Sequence, residues 1–316
     1  MKSLRGIRKD SLCLASRSIA LVVFFIWSTV ACSQLQAEDP LQLLTASHAA
    51  LGDNESNATI RFARQTGEWQ LVAIDFYFAG NNVNLEPVER FNSIEKLDIF
   101  MRTDSDPTAS LLGIASISKL LRLRELKMSA KDLANGIDLA NTLSNSIESL
   151  ELDGDSSAID SIMARLSAFP HLKTLKIYGL VTNESFSRIH ESKSIQSIEI
   201  GSEALTDDAM VALATLHDLR SLDIFWCAHI SELGIKKLVP LTKLNDLAVY
   251  KVNDKCIAAL ELLPALEKLS CLFEGEQADL RRLQRLKTFE LPEFEDSNTK
   301  QPVRILFPVY DSTNIR

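Results

Sequence analysis

Ten short segments of the chain repeat one order of positions: apolar, two variable, apolar, one variable, apolar. They begin at Leu71, Ile94, Leu123, Ile147, Leu172, Ile195, Leu219, Leu244, Leu266 and Leu286. Successive segments start 20 to 29 residues apart, and all thirty fixed positions are apolar. Because neighbouring side chains on a strand point to opposite faces, apolar residues two apart lie on the same face. The pattern predicts ten short strands, each with one buried face.

Between the strands, four segments carry a polar residue that is followed by apolar residues at helical spacing. The polar residues are Thr182, Thr206, Ser231 and Asn253. Ser, Thr and Asn are preferred helix N-caps because their side chains accept a hydrogen bond from an unpaired backbone N–H. Each unit is therefore expected to be a strand followed by a helix. One such unit cannot bury both apolar faces alone, so neighbouring units must stack.

The repeated L-x-x-L-x-L core, at a period of about 24 residues, resembles the leucine-rich-repeat family over roughly residues 70–292. The strand–cap–helix form is similar to its ribonuclease-inhibitor-like and cysteine-containing branch. The resemblance implies an α/β fold, a curved solenoid of about ten repeats. A parallel sheet would line its concave face and helices its convex face. The Asn or Cys that is usual three positions after the last core residue occurs once, as Cys227.

The first 37 residues have the order of a secretory signal. A basic head precedes an uncharged, mostly apolar run from Ser18 to Ala31, which is too short for a convincing membrane span. Cleavage is expected near Cys32 or Glu38, so the mature protein is predicted to be periplasmic, in the cell envelope or extracellular. The residues from Thr29 to Cys32 also resemble a bacterial lipoprotein box, in which Cys32 would be lipidated.

The remaining boundaries follow from the repeats. Residues 38–68 are predicted to form an N-terminal cap that starts with a short helix around 41–51, and residues 69–292 form the solenoid. An irregular, polar insertion at 102–109 is expected to loop out. Residues 293–316 are expected to be a C-terminal cap and tail, since the terminal units of solenoids are atypical.

Charge and cysteine content narrow the possible partners. Removing residues 1–37 takes away five positive charges and one negative charge, which changes the net charge from -8 to -12. Such an acidic surface argues against nucleic acid and anionic membranes, so membrane contact is expected only through a lipid on Cys32. Beyond the signal, Cys227, Cys256 and Cys271 have neither metal-ligand nor disulfide-scaffold spacing. We expect three free thiols.

The chain lacks the sequence motifs of phosphate-binding loops, zinc proteases and serine hydrolases. Most carboxylates fall on solvent-facing positions of the predicted strands and helices, where they aid solubility. We therefore expect no cofactor, no metal and no catalytic residues, and the chain is not predicted to be an enzyme.

Two columns of strand residues face away from the predicted helices. The first column precedes the last core residue of each strand and reads Asp75, Asp98, Lys127, Glu151, Lys176, Glu199, Asp223, Ala248, Ser270 and Glu290. The second column follows that core residue and reads Tyr77, Phe100, Ser129, Asp153, Tyr178, Gly201, Phe225, Tyr250, Leu272 and Pro292. Five of the ten residues in the second column are aromatic, although aromatic residues make up 7% of the chain. These rings either stiffen the sheet or anchor a ligand.

The leading hypothesis is an exported binding module that recognises a protein or peptide on the concave face. The candidate ligand-binding residues are Tyr178, Glu199, Asp223, Phe225 and Tyr250. A shallow hollow is expected at Gly201, suited to an apolar or aromatic tip that is surrounded by basic residues. The alternatives are a structural or scaffolding envelope protein, which could be lipid-anchored at Cys32, and an enzyme.

Overall fold

The computed structural model describes residues 12–13, 36–37, 58–65, 68–79, 83–102, 111–112, 114–129, 146–154, 156–273 and 280–290. Its strands are β1 (Leu12–Cys13), β2 (Gln36–Ala37), β3 (Ala58–Gln65), β4 (Glu68–Ala79), β5 (Val83–Asn84), β6 (Lys96–Arg102), β7 (Leu111–Leu112), β8 (Glu125–Ser129), β9 (Ser149–Gly154), β10 (Thr174–Gly179), β11 (Ser197–Gly201), β12 (Ser221–Ile224), β13 (Asp246–Val252), β14 (Lys268–Phe273) and β15 (Thr288–Glu290).

Thirteen of these strands form one sheet, and β5 pairs with β7 in a second, two-stranded sheet. The large sheet starts with an antiparallel hairpin of β3 and β4, and β1 and β2 pair with its two strands. From β4 onward, β6 and β8 to β15 follow in chain order, each parallel to its neighbour. Parallel strands added one turn at a time are the topology of a leucine-rich-repeat solenoid, and the predicted fold class is confirmed.

The repeated apolar residues occupy equivalent places in the sheet. Leu175 pairs with Leu150 on one side and with Ile198 on the other, and the later turns continue this register. Of the thirty fixed positions, the structure describes all but the last. They are buried except in the final described turn, where Leu286 and Phe289 are partly buried. Each core residue is thus covered by its equivalents in the flanking turns.

The helices lie on the other side of this core. They are α1 (Ser156–Met163), α2 (Asp207–Leu213), α3 (Glu232–Lys237) and α4 (Asp254–Leu260). Three of the predicted N-caps are confirmed. Thr206, Ser231 and Asn253 accept hydrogen bonds from the backbone N–H groups of the first helical turns that follow them.

The fourth predicted helix is wrong, since no α-helix follows Thr182. Two short 3-10 turns, Glu184–Phe186 and Ile189–Glu191, replace it. The Asn183 side chain is used elsewhere: its amide donates to Thr206 Oγ1 at 2.8 Å, and its Oδ1 accepts from the Thr206 N–H at 3.1 Å. Further 3-10 turns stand at Glu86–Arg90, Ile114–Lys119, Leu166–Ala168 and Leu280–Arg282.

Side-chain hydrogen bonds connect successive turns at the ends of the strands. Ser202 Oγ donates to the Val181 carbonyl at 2.7 Å and accepts from the Val181 N–H at 3.1 Å. Cys227 Sγ donates to the Ile200 carbonyl at 3.6 Å. Buried Ser202 and Cys227 therefore each join their own turn to the preceding one.

Two glycines let the chain leave β9 and β10. Gly154 and Gly179, which pair in the sheet, have φ of 149° and 123°. A β-carbon on Gly179 would lie 2.2 Å from the carbonyl oxygen of Gly154. Only glycine fits here, because both the backbone angle and the space exclude a side chain.

The three cysteines beyond the predicted signal are buried and none of them forms a disulfide, as expected. Burial raises the pKa of Cys227 to about 11 and that of Cys271 to about 12. Both groups are thus protonated at neutral pH, which suppresses thiolate chemistry.

We expect titration of the mature chain, starting at Glu38, to give three thiols in denaturant without reductant and almost none under native conditions. The native thiols should be unreactive because all three are buried and the raised pKa values of Cys227 and Cys271 keep those two protonated. A single thiol in denaturant would mean that two of the cysteines form a disulfide.

Several predicted segments lie outside the described residues: most of the export signal, the helix around 41–51, residues 103–109 of the insertion, and the tail at 293–316. The described part of the N-terminal cap is mainly β3, which pairs antiparallel with β4. Within the described part of the chain, no helix is long and apolar enough to cross a membrane.

Candidate functional site

The first column is continuous across the sheet, as predicted. Asp75 pairs with Asp98, and the register continues from strand to strand to Glu290. Two lysines neutralise neighbours within this column. Lys127 lies 2.7 Å from Glu151, and Lys176 lies 2.6 Å from Glu199. The column is therefore a row of alternating charges in its middle and becomes acidic at Asp223.

Tyr178 and Glu199, two of the candidate residues, contact each other. The Tyr178 hydroxyl donates to Glu199 Oε1, while Lys176 holds the other oxygen of the same carboxylate. Burial works to raise the pKa of Glu199, but the bonds from Lys176 and Tyr178 outweigh it and lower that pKa. Burial and the bond to Glu199 raise the pKa of Tyr178 above its ordinary value. Glu199 is thus a satisfied carboxylate that orients the ring.

The hollow expected at Gly201 is absent, so that prediction is wrong. A β-carbon on Gly201 would lie 3.0 Å from Tyr178 Cδ1 and 3.9 Å from Trp226 Cδ1. The two rings approach the glycine from the turns on either side of it. Because glycine has no side chain of its own, its neighbours occupy the space above it.

Three aromatic rings form a cluster beyond Gly201. The Phe225 ring lies 5.4 Å from the Trp226 ring and 5.8 Å from the Tyr250 ring, edge-to-face in both cases. Lys251 Nζ lies 5.4 Å from the centre of the Tyr250 ring, within the range of a cation–π contact. Phe225 is only 6% exposed, whereas Trp226 is 57% exposed. Phe225 therefore supports the cluster, and Trp226 presents it to solvent.

Trp226 was missed by sequence reasoning because it lies outside both columns. β12 ends at Ile224, so the alternation of faces no longer applies two residues later. In the sequence, the only sign of a role for Trp226 was that a large aromatic residue follows a predicted strand.

The second column is less regular than predicted. Tyr77 pairs with Phe100, and Tyr178 pairs with Asp153 and Gly201. Between Ala248 and Lys251 the pairing with β14 shifts by one residue, so Leu272 pairs with Lys251 and not with Tyr250. Such an irregularity re-aims the side chains beside it, and here it lies next to the aromatic cluster.

Asp223 is the acidic candidate that lacks a counterion. Its Oδ1 accepts from the Phe225 N–H at 2.9 Å, and no Lys, Arg or His among the described residues lies within ion-pair distance. Burial raises the pKa of Asp223, and the nearby carboxylates of Glu199 and Asp246 raise it further, while the bond from the Phe225 N–H and the charge of Lys176 offset part of this rise. Asp223 is thus a half-buried carboxylate without a close ion pair.

We expect Asp223→Asn to stabilise the fold at pH 7 by up to about 1 kcal/mol, since solvent screens a half-exposed charge. Because the pKa of Asp223 is raised in the folded state, the free energy of unfolding falls as the pH rises from the unfolded-state pKa to the folded-state pKa. The asparagine amide carries no charge, so the variant avoids this loss while its Oδ1 still accepts from the Phe225 N–H. Urea unfolding at pH 7 and near pH 3.8, where the gain should shrink, measures the difference.

Asp218→Asn is the control, with the opposite sign expected. The hydrogen bond from Lys243 lowers the pKa of Asp218, so its contribution is present at neutral pH and lost in acid. A loss of stability for Asp223→Asn at pH 7 would contradict the assignment of an uncompensated carboxylate.

The site presents aromatic rings and carboxylates without a nucleophile–base pair on the described strands. Among the described residues, no group of three or more His, Cys, Asp or Glu side chains could hold a metal ion. The chemistry that these residues offer is non-covalent contact with a ligand.

Neither a protein-family model nor a curated protein matches the chain. Among the solved structures that resemble it are two from Listeria monocytogenes. An internalin at 17% identity covers 68% of this chain with a TM-score of 0.35. Internalin C2 at 16% identity covers 79% of this chain and 92% of its own, with a TM-score of 0.41. The chain spans only 59% of the first internalin. The fold assignment rests on the sheet order and register described above.

Proposed function

We propose that this chain is an exported leucine-rich-repeat binding module that recognises a protein or peptide on its concave face. The supporting observation is the aromatic cluster of Phe225, Trp226 and Tyr250 beside Asp223, on the sheet face opposite the helices. Exposed aromatic residues next to charges are typical anchors of protein interfaces.

The five candidate residues take different parts in this proposal. Tyr178 and Tyr250 border the contact surface, and Phe225 supports it from beneath. Glu199 fixes Tyr178, and Asp223 supplies negative charge. Trp226 joins them as the most exposed ring of the cluster.

The proposal also includes the type of repeat, export, and the absence of a cofactor and of enzymatic activity. The capped helices of α2, α3 and α4 support the ribonuclease-inhibitor-like type of repeat. The basic and apolar N-terminal segment supports export. Recognition of a macromolecule by contact alone implies no cofactor and no enzymatic activity.

The test is a pull-down with the mature chain as bait, followed by mass spectrometry, beside an identical bait that carries Trp226→Ala and Tyr250→Ala. We expect one or a few proteins to bind the unaltered bait and to be lost from the variant. Equal recovery on both baits, with both folded, would place the binding surface elsewhere. A bait that captures nothing specific would favour the scaffolding role.

The proposed export of the protein can be tested separately from binding. Protein recovered from the native host should begin near Cys32 or Glu38 and lie outside the cytoplasm. N-terminal sequencing after cell fractionation measures this, and the mass of the N-terminal peptide reveals a lipid on Cys32. An intact Met1 on soluble cytoplasmic protein would contradict export.

A further inference from the structure

We propose that the surface formed by Trp226, Gly201 and Asp223 binds a cationic side chain of the partner, an arginine or a lysine. This cation subsite rests on the proposed function and narrows it. The sequence favoured an apolar tip that enters a hollow, whereas the closed surface at Gly201 requires a ligand that lies on top of it.

The first reason is the position of the indole. Trp226 is 57% exposed, and the Phe225 ring meets it at an interplanar angle of 88°. Its Cδ1 lies 3.9 Å from the place of a β-carbon on Gly201, so the exposed ring reaches across to the neighbouring strand. An exposed tryptophan face attracts a cation through the ring quadrupole, more strongly than tyrosine or phenylalanine does.

The second reason is the charge beside this ring. Asp223 Oδ1 accepts from the N–H of Phe225, the residue adjacent to Trp226, and among the described residues Lys176 and Lys268 act on its charge only from beyond ion-pair distance. Glu199 is already bound by Lys176 and Tyr178, so it stays ionised and adds negative potential. A cation on Trp226 would add a positive charge next to the residue that holds Asp223.

The third reason is that the chain makes the same kind of contact one turn later. Lys251 places its ammonium 5.4 Å from the centre of the Tyr250 ring. The aromatic cluster therefore already accommodates a positive group on one of its rings. The net charge of -8 favours the approach of a basic partner over long distances.

The test uses the full chain and three fluorescein-labelled, capped tripeptides in which glycines flank arginine, lysine or citrulline. Citrulline keeps the shape of arginine but has no charge. Fluorescence anisotropy at low ionic strength measures binding. We expect the arginine and lysine peptides to bind at least about fivefold more tightly than the citrulline peptide.

Four variants distinguish binding at the cation subsite from general attraction by the acidic charge of the chain. Asp223→Asn and Trp226→Leu should each weaken binding of the arginine peptide at least about fivefold, while Trp226→Tyr should keep most of it. Asp254→Asn makes the same charge change on α4, on the opposite side of the sheet, and should leave binding unaltered. All four variants should fold, because Trp226 and Asp254 are exposed and Asp223→Asn keeps the Oδ1 acceptor for the Phe225 N–H; circular dichroism verifies this.

Three outcomes would overturn the inference. They are equal binding of the citrulline peptide, equal weakening by Asp254→Asn and Asp223→Asn, and unaltered binding by Trp226→Leu. If the pull-down succeeds while the peptides fail, the proposed function stands without the cation subsite. If the peptides bind while no protein partner is captured, the subsite stands and the proposed function fails.

Discussion

Replacing Gly179 with alanine is expected to lower the free energy of unfolding by about 3 kcal/mol or more. Two independent costs add at this position. The φ of 123° lies in a region that residues with a β-carbon rarely adopt. The new β-carbon would also meet the Gly154 carbonyl oxygen at 2.2 Å, and this atom belongs to the backbone of the neighbouring strand.

Gly201→Ala is the matched control, since it makes the same chemical change on the next strand. Gly201 has no positive φ, and its closest neighbour is the Tyr178 ring at 3.0 Å, a side chain that can move slightly. We expect it to cost no more than about 1 kcal/mol. Urea unfolding of both variants measures the difference, and similar losses would show that the close approach of Gly179 and Gly154 is unimportant.

The second large effect is expected from Phe225→Ala and Trp226→Ala, which should separate stability from binding. Phe225 is 6% exposed and contacts two rings, so its truncation should destabilise the fold by about 2–4 kcal/mol. Trp226 is largely exposed, so its truncation should cost less than about 1 kcal/mol of stability.

Trp226→Ala should have a large effect on partner binding although its effect on stability is small. Truncation of a central aromatic anchor costs about 2 kcal/mol or more, so Trp226→Ala should weaken binding of the captured partner at least about tenfold. Calorimetric titration of folded variants and their melting temperatures measure the two effects. Unaltered partner affinity for Trp226→Ala would show that the exposed ring is no anchor.

The sheet could be predicted from the sequence because the apolar pattern that specifies each strand is local and is repeated along the chain. One apolar pattern places Leu150, Leu175 and Ile198 in a common register, and that register fixes the first column without any knowledge of tertiary structure. The N-caps Thr206, Ser231 and Asn253 were predictable for the same reason, since a cap acts on the residues just after it.

The misses have a different origin. No α-helix follows Thr182; its neighbour Asn183 bonds to the cap of the next turn, 23 residues away, and the local pattern does not reveal that contact. The hollow at Gly201 was filled by rings from both adjacent turns, and the shifted pairing at Tyr250 depends on the conformation of β13. The backbone register follows from the repeat, whereas the surface above it depends on how neighbouring turns pack.

The bonds between successive caps couple neighbouring turns of the solenoid outside the sheet. Asn183 holds Thr206, and the Asp207 carboxylate, at the start of the helix that Thr206 caps, accepts from the Ser231 N–H at 2.7 Å and from its hydroxyl at 2.5 Å. Because each unit of a solenoid contacts only its neighbours, these bonds add to the nearest-neighbour interfaces on which the stability of the whole array depends.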